Sequence, residues 1–525
     1  MNDCHAVLLD TASIQNYIFQ SNKLRENLGA SFLVEEIYRT HLACALCAVT
    51  GRTSAEESAH LESWKTAKSE ALDCTKAVDI GYIGGGNALL FFQAEKLAHK
   101  FVEEWTKILL IHASTLTTAV ATSPFPQEPQ KFSESLKALF IQLERNKAEH
   151  SPITSLPRHG ITAECMHSGS STEIYTALSE EYVSAGVYAR IEAANASKNA
   201  LEKKYEKILR NRLWFTNELE ELGGKPTEDS HIAIVHIDGN DIGERFKKTE
   251  TLKERRTLSK TVHEATENAF GGLVNVAVEK YDAIMQSLGH TPESNIYKRN
   301  ILPIRPIILG GDDVTFVCDG KLGIYFAKLF IEAFENADKN STACAGVAII
   351  KTKYPFYRGV KLADELCSNA KTIRKEKNSS ASFLDFHISL GGIAGTLPEM
   401  RKTHFQAPQG SLLYRPFKIG LKEPSDELSL ETFLQKAWQL QHTHGGKINL
   451  PNNKINELSE VLTLSKDAGQ KFVQELKYRG RKLPEIEGYH YHETLFQNDA
   501  TPYFDMIEIL RFYPDFALRE AGGKR

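Results

Sequence analysis

Two adjacent aspartates, Asp312 and Asp313, follow two glycines inside an apolar stretch, and this segment, Gly310–Asp313, is the best suited to chemistry. The flanking residues 304–309 and 314–318 are rich in β-branched and aliphatic side chains, which predicts a strand, a tight turn and a second strand. Neighbouring carboxylates repel each other, and each favours water or a cation. We therefore predict a hairpin turn that holds a divalent metal ion.

A third carboxylate, Asp238, ends the apolar run at residues 232–237. Mg²⁺ prefers hard oxygen ligands and usually takes one or two carboxylates together with substrate phosphates. Two such ions about 4 Å apart can activate a 3′-hydroxyl and stabilise a leaving pyrophosphate. A site of this kind needs carboxylates from neighbouring strands. We predict that Asp238, Asp312 and Asp313 converge as catalytic ligands of Mg²⁺ or Mn²⁺.

Small and amide residues beside these carboxylates are suited to a nucleotide. Gly310 and Gly311 remove side chains where a triphosphate must approach the backbone. Gly239 and Asn240 begin a second tight turn, whose N–H groups can face phosphates. We predict a nucleotide-binding role for all four residues.

A cationic helix end follows further along the chain. Residues 361–371 have the pattern of an amphipathic helix, and Lys371 and Arg374 lie at its end. Lys371 is the better candidate for the β- and γ-phosphates, and Arg374 is the second candidate. A solvated lysine near a helix end is an equally good interpretation of Lys371.

The elements around the Gly310–Asp313 turn occur twice in the chain. Asp10 ends a strand 74 positions before Gly84, and Asp238 ends a strand 72 positions before Gly310. The other matching segments are helix-compatible stretches at 24–49 and 252–288 and later strands at 118–122 and 345–350. The order of strand, helix, hairpin, helix and strand is the ferredoxin-like βαββαβ plan, and the nearly equal spacing indicates an internal repeat.

The two copies differ at the turn. The first copy has Gly84–Asn87 and no carboxylate there, whereas the second has Gly310–Asp313. A Gly-Gly-Asp-Asp turn alone also fits an ordinary hairpin. Because Asp238 and the repeated unit accompany it, we favour a metal site in the second copy and a scaffold in the first.

We predict an α+β protein with two ferredoxin-like domains of the palm or nucleotidyl cyclase type, a helical insertion and a helical C-terminal domain. The predicted divisions are a non-catalytic first palm at 1–124, a helical linker at 125–229, a catalytic second palm at 230–420 and a helical domain at 421–525.

Composition excludes several other classes of protein. The 63 Lys and Arg residues nearly balance 67 Asp and Glu residues, so no global positive charge indicates nucleic-acid binding. The N-terminus lacks the pattern of a signal peptide, and no run of about 18 apolar residues predicts a membrane span. The eight cysteines have no disulfide-framework spacing. We expect a cytoplasmic protein without a membrane partner.

Several motifs together resemble the large palm-containing subunit of type III CRISPR effector complexes, including its Csm and Cmr forms. Residues 10–33 are similar to the opening of that family's first palm, residues 238–243 to a strand end of its second palm, and Gly310–Asp313 to its active-site signature. Further similar motifs lie at 354–358, 370–371, 384–387 and 414–417. The second palm also resembles diguanylate cyclases.

The resemblance implies conversion of ATP to cyclic oligoadenylates, second messengers of antiviral defence that are made when a guide RNA finds a foreign transcript. It implies that Asp238, Asp312 and Asp313 are the metal ligands and that Lys371 contacts the triphosphate. Other type III subunits, guide RNA and target RNA are the implied partners. Asn240 stands where many family members have Asp, and whether Asp241 replaces that ligand stays open.

The sequence also departs from the family. None of the 18 histidines is followed by Asp, and a four-cysteine zinc ribbon is not evident, so we expect a trimmed member without the HD nuclease domain. Two alternatives stay open. One is a stand-alone palm enzyme that makes a cyclic dinucleotide or an AMP conjugate, and the other is a non-catalytic scaffold that binds RNA or nucleotide.

Overall fold

The structure is a computed structural model. It describes residues 4–66, 72–73, 75–113, 115–149, 160–177, 180–223, 230–294, 299–389, 395–420, 429–443, 447–486 and 494–523. The chain divides into two units. The first comprises Met1–Tyr205, Asp241–Thr266 and Ile307–Asp313, and the second comprises Glu206–Asn240, Glu267–Pro306 and Val314–Arg525.

The first sheet has four antiparallel strands in the order β2-β3-β1-β4. The strands are β1 (Cys4–Thr11), β2 (Val78–Gly84), β3 (Asn87–Phe92) and β4 (Thr118–Phe125). Strand β1 is central, and its residues 4–9 are all buried. A strand covered on both faces needs a continuous apolar run, which explains why β1 does not alternate between apolar and polar residues.

Helices surround this sheet and continue into the insertion. They are α1 (Ile14–Ile18), α2 (Leu24–Glu36), α3 (Leu42–Thr50), α4 (Ser54–Glu62), α5 (Glu95–His112), α6 (Phe132–Glu149), α7 (Ala185–Lys204) and α8 (Glu206–Leu209). A single π turn at Ile37–His41 joins α2 to α3. Helix α5 buries Ala98, Phe101, Trp105 and Leu109, whose spacing of three to four residues forms one apolar face.

Helix α7 packs closely on helix α2. A Cβ atom on Gly29 of α2 would lie 1.7 Å from the carbonyl oxygen of Arg190 in α7. Glycine therefore allows the two helix backbones to touch at this point. The insertion also contains a small antiparallel hairpin, β5 (Ile174–Thr176) and β6 (Glu181–Val183), which the sequence analysis did not predict.

The second sheet has six strands in the order β14-β11-β10-β7-β9-β8. Its strands are β7 (His231–Gly239), β8 (Ile304–Gly310), β9 (Asp313–Asp319), β10 (Ala343–Lys351), β11 (Ser382–Ile388) and β14 (Phe417–Ile419). Two further strands, β12 (Gln406–Ala407) and β13 (Gly410–Ser411), form a separate hairpin. Strand β10 pairs antiparallel with β7 and parallel with β11, which gives the sheet its mixed character.

Helices also make up much of the rest of the chain. They are α9 (Ile242–Lys247), α10 (Leu252–Glu279), α11 (Tyr281–Ser287), α12 (Gly323–Ala337), α13 (Phe356–Glu376), α14 (Leu397–His404), α15 (Leu430–Gln441), α16 (Asn452–Val461), α17 (Lys466–Tyr478), α18 (Tyr503–Phe512) and α19 (Asp515–Gly522). The last five of these helices agree with the predicted helical C-terminal part. Among the described residues, no helix is both long and apolar enough to cross a membrane.

The strand order confirms the predicted repeat. In the first sheet the order is β2-β3-β1-β4, and the corresponding strands of the second sheet have the order β8-β9-β7-β10. Each copy thus has its first strand between the second strand of its hairpin and the later strand, as the ferredoxin-like plan requires. The α+β fold with two such sheets is confirmed. The four-domain division stays a prediction.

Candidate functional site

The Gly310–Asp313 segment forms the predicted tight turn. Strand β8 ends at Gly310 and β9 begins at Asp313, so only two residues connect them. Gly311 has φ of 65°, a conformation that glycine adopts without steric cost. The Thr266 hydroxyl donates a hydrogen bond to the Gly311 carbonyl, which holds the turn from α10.

Both aspartates of this turn are partly exposed. Gln15 Nε2 donates a hydrogen bond of 3.1 Å to Asp313 Oδ2, and both residues belong to the first unit. The sequence analysis included Gln15 only within the 10–33 motif and assigned no site role to it. An amide at this position can orient the Asp313 carboxylate through one of its oxygens.

Asp238 and Lys371 are brought together by the second sheet and α13. Lys371 Nζ lies 2.5 Å from Asp238 Oδ2, and the two side chains are 27% and 38% exposed, respectively. Burial acts to lower the pKa of Lys371, but the charge of Asp238 and its hydrogen bond outweigh burial and raise the pKa above its ordinary value. Lys371 is therefore a fixed cation beside a candidate metal ligand. The interpretation of Lys371 as a freely solvated lysine does not fit this geometry.

Asn240 lies at the end of β7 and is buried. Its backbone N–H donates to the Thr342 carbonyl at 2.8 Å, and its Nδ2 donates to the Thr342 hydroxyl at 3.0 Å. The Asn240 N–H is therefore already used within the protein. Asp241 follows with φ of 58° and is exposed before α9. The predicted nucleotide contacts of Gly239 and Asn240 stay predictions.

Arg374 lies one turn beyond Lys371 near the end of α13 and is buried. Its Nη1 donates to the Ser379 carbonyl at 3.4 Å, in the segment that leads to β11. This contact suits a residue that closes a helix end, because cations there interact favourably with the last carbonyls. Its predicted nucleotide contact stays a prediction.

The first copy contains the same Asp–Lys pair. Lys147 Nζ lies 2.6 Å from Asp10 Oδ2. Lys147 follows the first residue of α6 by 15 positions, and Lys371 follows the first residue of α13 by 15 positions. Lys147 was not among the site residues predicted from the sequence, although this equal offset could have identified it. The ion pair is thus a feature of the repeated fold, whereas the two turn carboxylates occur in the second copy only.

The first copy also fixes the register at its turn. Asp10 of β1 is directly opposite Asn87 of β3, and the turn residues Gly85 and Gly86 have φ of 60° and 78°. Asn87 occupies the position that corresponds to Asp313, because each is the first residue of the second hairpin strand. An uncharged amide and two glycines leave this turn without a negative ligand for a cation.

Comparison with known proteins gives a family match for part of the chain. Residues 231–381 match the model of the Cas10/Cmr2 second palm domain. The sequences of curated proteins include no match to this chain.

Solved structures match over nearly the whole chain. Csm1 from T. onnurineus matches with a TM-score of 0.53 and 14% sequence identity, covering 100% of this chain and 70% of that chain. A Csm1–Csm4 cassette in complex with AMPPNP matches with a TM-score of 0.52 and 13% identity, covering 99% and 70%. A Csm1–Csm4 cassette in complex with cA4 matches with a TM-score of 0.51 and 12% identity, covering 99% and 70%.

At these low identities the structural matches show a shared fold. The segment that matches the family model contains both Asp238 and the Gly310–Asp313 turn. The resemblance inferred from the sequence motifs is confirmed at this level. Residues 231–381 match the Cas10/Cmr2 second palm domain, and the chain has a fold similar to that of Csm1.

Proposed function

We propose that this chain is a metal-dependent nucleotidyltransferase that converts ATP to cyclic oligoadenylates within a type III CRISPR effector complex. The observation that carries the proposal is a Cas10/Cmr2 second palm domain with both turn carboxylates, Asp312 and Asp313, present. Support also comes from chains of the same fold whose solved complexes contain AMPPNP or cA4.

The repeat supports convergence of the carboxylates. Strands β7 and β9 are neighbours in the second sheet, as β1 and β3 are in the first. Asp10 and Asn87 are directly opposite in the first sheet, and Asp238 and Asp313 hold the corresponding positions. On this correspondence we propose that Asp238 and Asp313 share a cation.

The donor set fits Mg²⁺ or Mn²⁺, because Asp238, Asp312 and Asp313 offer only carboxylate oxygens. When bound, such ions activate an attacking 3′-hydroxyl and stabilise the leaving pyrophosphate. The three aspartates would hold the ions, and the Gln15 amide would keep the Asp313 carboxylate oriented through its hydrogen bond.

Lys371 supplies positive charge for the triphosphate. In the structure its ammonium group neutralises Asp238. With Asp238 holding a metal ion, the Lys371 ammonium group would be available to the β- and γ-phosphates. Gly310 and Gly311 leave the turn backbone open, since a Cβ atom on Gly311 would have no neighbour within 4 Å. The site can therefore bind the triphosphate, orient it and balance its charge.

The proposed partners follow from the same relatives. Csm1 is crystallised with Csm4 in matched structures, and we extend this to a Csm4-like subunit, other type III subunits, guide RNA and target RNA for this chain. The proposed complex acts in the cytoplasm, where foreign transcripts are met.

The test is product identification from α-labelled ATP with Mg²⁺ or Mn²⁺. The protein is assayed alone and with its type III partners, with and without guide RNA and a complementary target. The proposal expects cyclic oligoadenylates that depend on metal and increase on target binding. A cyclic dinucleotide or an AMP conjugate made by the protein alone would support the stand-alone enzyme, and nucleotide binding without any product would support the scaffold.

A further inference from the structure

A group of three potential metal ligands lies in the first unit, on elements that the proposed chemistry does not use. The group consists of His5, Glu95 and His99. One ligand atom from each side chain lies within 4.8 Å of the other two. The rings of His5 and His99 are edge-to-face with centroids 6.0 Å apart, and His99 Nε2 is 3.9 Å from Glu95 Oε1.

The fold positions these ligands on one strand and one helix. His5 lies on the central strand β1, with Phe92 of β3 on one side and Pro124 of β4 on the other. Glu95 is the first residue of α5, and His99 follows four residues later on the same helix face. A rigid strand and the first turns of a packed helix therefore present the three side chains to one point.

We propose that His5, Glu95 and His99 form a binding site for a divalent transition-metal ion, with Zn²⁺ as the preferred occupant. Two imidazoles and one carboxylate are a common ligand set for Zn²⁺, whose fourth position is taken by water. Imidazole selects such ions over Mg²⁺, which prefers oxygen. This site therefore takes a different class of metal from the aspartates of the second palm.

The geometry allows closure around an ion. In a tetrahedral zinc site, neighbouring ligand atoms lie about 3.4 Å apart. The three side chains must therefore move slightly closer to one another to bind the ion. The side chains of His99 and Glu95 are 61% and 66% exposed, so they can change rotamer at little cost. His5 is 8% exposed and supplies the fixed ligand.

The site is separate from the Asp10 end of β1. His5 and Asp10 are five residues apart on the same strand, which corresponds to about 17 Å at 3.3 to 3.4 Å per residue. A metal ion at His5 would instead link the start of β1 to the start of α5. Its expected effect is stabilisation of the first palm, because an ion that binds only the folded state adds its binding free energy to stability.

The test is Zn²⁺ binding to the metal-free full-length chain, measured by titration calorimetry in a buffer that contains Mg²⁺ and a thiol-free reductant. Thermal unfolding is followed in parallel. Wild type is compared with His99→Ala and Glu95→Gln, which change exposed side chains and leave the core intact. His112→Ala is the matched control, since His112 is an exposed histidine at the other end of α5.

We expect one Zn²⁺ site in wild type and in His112→Ala, with a Zn²⁺-dependent rise in the midpoint of unfolding. In His99→Ala and Glu95→Gln we expect at least a tenfold loss of affinity at that site and a smaller rise. An unchanged isotherm in His99→Ala would overturn the proposal. Loss of the site in His112→Ala instead would also overturn it, since that result assigns the ion to the stacked pair His41 and His112.

Discussion

The substitution Lys371→Met should lower the activity of the second palm much more than it lowers its stability. The Asp238–Lys371 pair is partly exposed, with side chains 38% and 27% accessible, so screening by water reduces its contribution to about 0.5–1 kcal/mol of folding free energy. A charged group that binds a phosphate contributes about 1.5–3 kcal/mol. At about 1.4 kcal/mol per factor of ten, this predicts a decrease of about 10- to 150-fold in kcat/KM for ATP.

The first copy provides the matched control. Lys147→Met removes the corresponding lysine, which pairs with Asp10 at nearly the same Nζ–Oδ2 distance. The side chains of Lys147 and Asp10 are 26% and 19% exposed, respectively. Since the first copy lacks turn carboxylates, we expect a similar small loss of stability and less than about a threefold change in ATP turnover. Lys371→Arg should keep part of the activity, because it keeps the charge but changes its geometry.

Initial rates of ATP consumption at several concentrations give kcat and KM, and urea unfolding gives the stability of each variant. We expect Lys371→Met and Lys147→Met to have equal free energies of unfolding and unequal kcat/KM for ATP. This expectation would be refuted if Lys371→Met and Lys147→Met lowered activity by the same factor, or if Lys371→Met kept wild-type kcat/KM.

Two further predictions concern the second unit. Arg415→Met should lower the free energy of unfolding by about 3–5 kcal/mol in urea titrations. The buried guanidinium of Arg415 pairs with Glu508 at 2.5 Å and with Asp505 at 3.4 Å. Its removal leaves two buried carboxylates without this cation. Arg479→Met, which removes a 57% exposed partner of Glu475, should change the free energy of unfolding by less than about 1 kcal/mol, and equal losses would contradict the argument. Burial raises the pKa of Asp319 to about 7 in the folded state, from 3.8. The folded state therefore binds more protons between about pH 4 and 7, so this group makes wild-type stability fall as pH rises through that window. In unfolding experiments across pH 4–8, Asp319→Asn should reduce the decrease of stability with rising pH. An unchanged slope of stability against pH would contradict the assignment of Asp319 as a buried neutral carboxyl.

Local patterns were sufficient to predict the elements of the repeat. The strand ending at Asp238 and the Gly310–Asp313 hairpin were evident because apolar runs and turn residues are short-range signals. The nearly equal spacing of Asp10 and Asp238 from their turns predicted the duplication, and the strand order of both sheets agrees with it. The apolar runs, the turn residues and the repeat spacing can all be seen in the sequence itself.

Contacts between distant residues could not be predicted in the same way. Lys371 was ambiguous in the sequence, and only the fold pairs it with Asp238, which lies 133 positions away. Gln15 and Asp313 are 298 positions apart, and no local rule relates them. Arg374 donates a hydrogen bond to the Ser379 carbonyl beyond the end of α13, a partner that the helix pattern does not indicate. Such side-chain partners are set by tertiary packing, which a single sequence does not specify.

The most direct test of the catalytic claim is the product spectrum of the double variant Asp312→Asn/Asp313→Asn beside wild type, measured by mass spectrometry under the conditions that give maximal ATP turnover. Asn87→Ala, at the position of the first copy that corresponds to Asp313, serves as the control. We expect the double variant to lose at least about 100-fold of cyclic oligoadenylate synthesis, since metal stabilisation of phosphoryl transfer is worth several kcal/mol, and the control to keep it. Identical products and rates in wild type and the double variant would contradict the assignment of the second palm as the catalytic site.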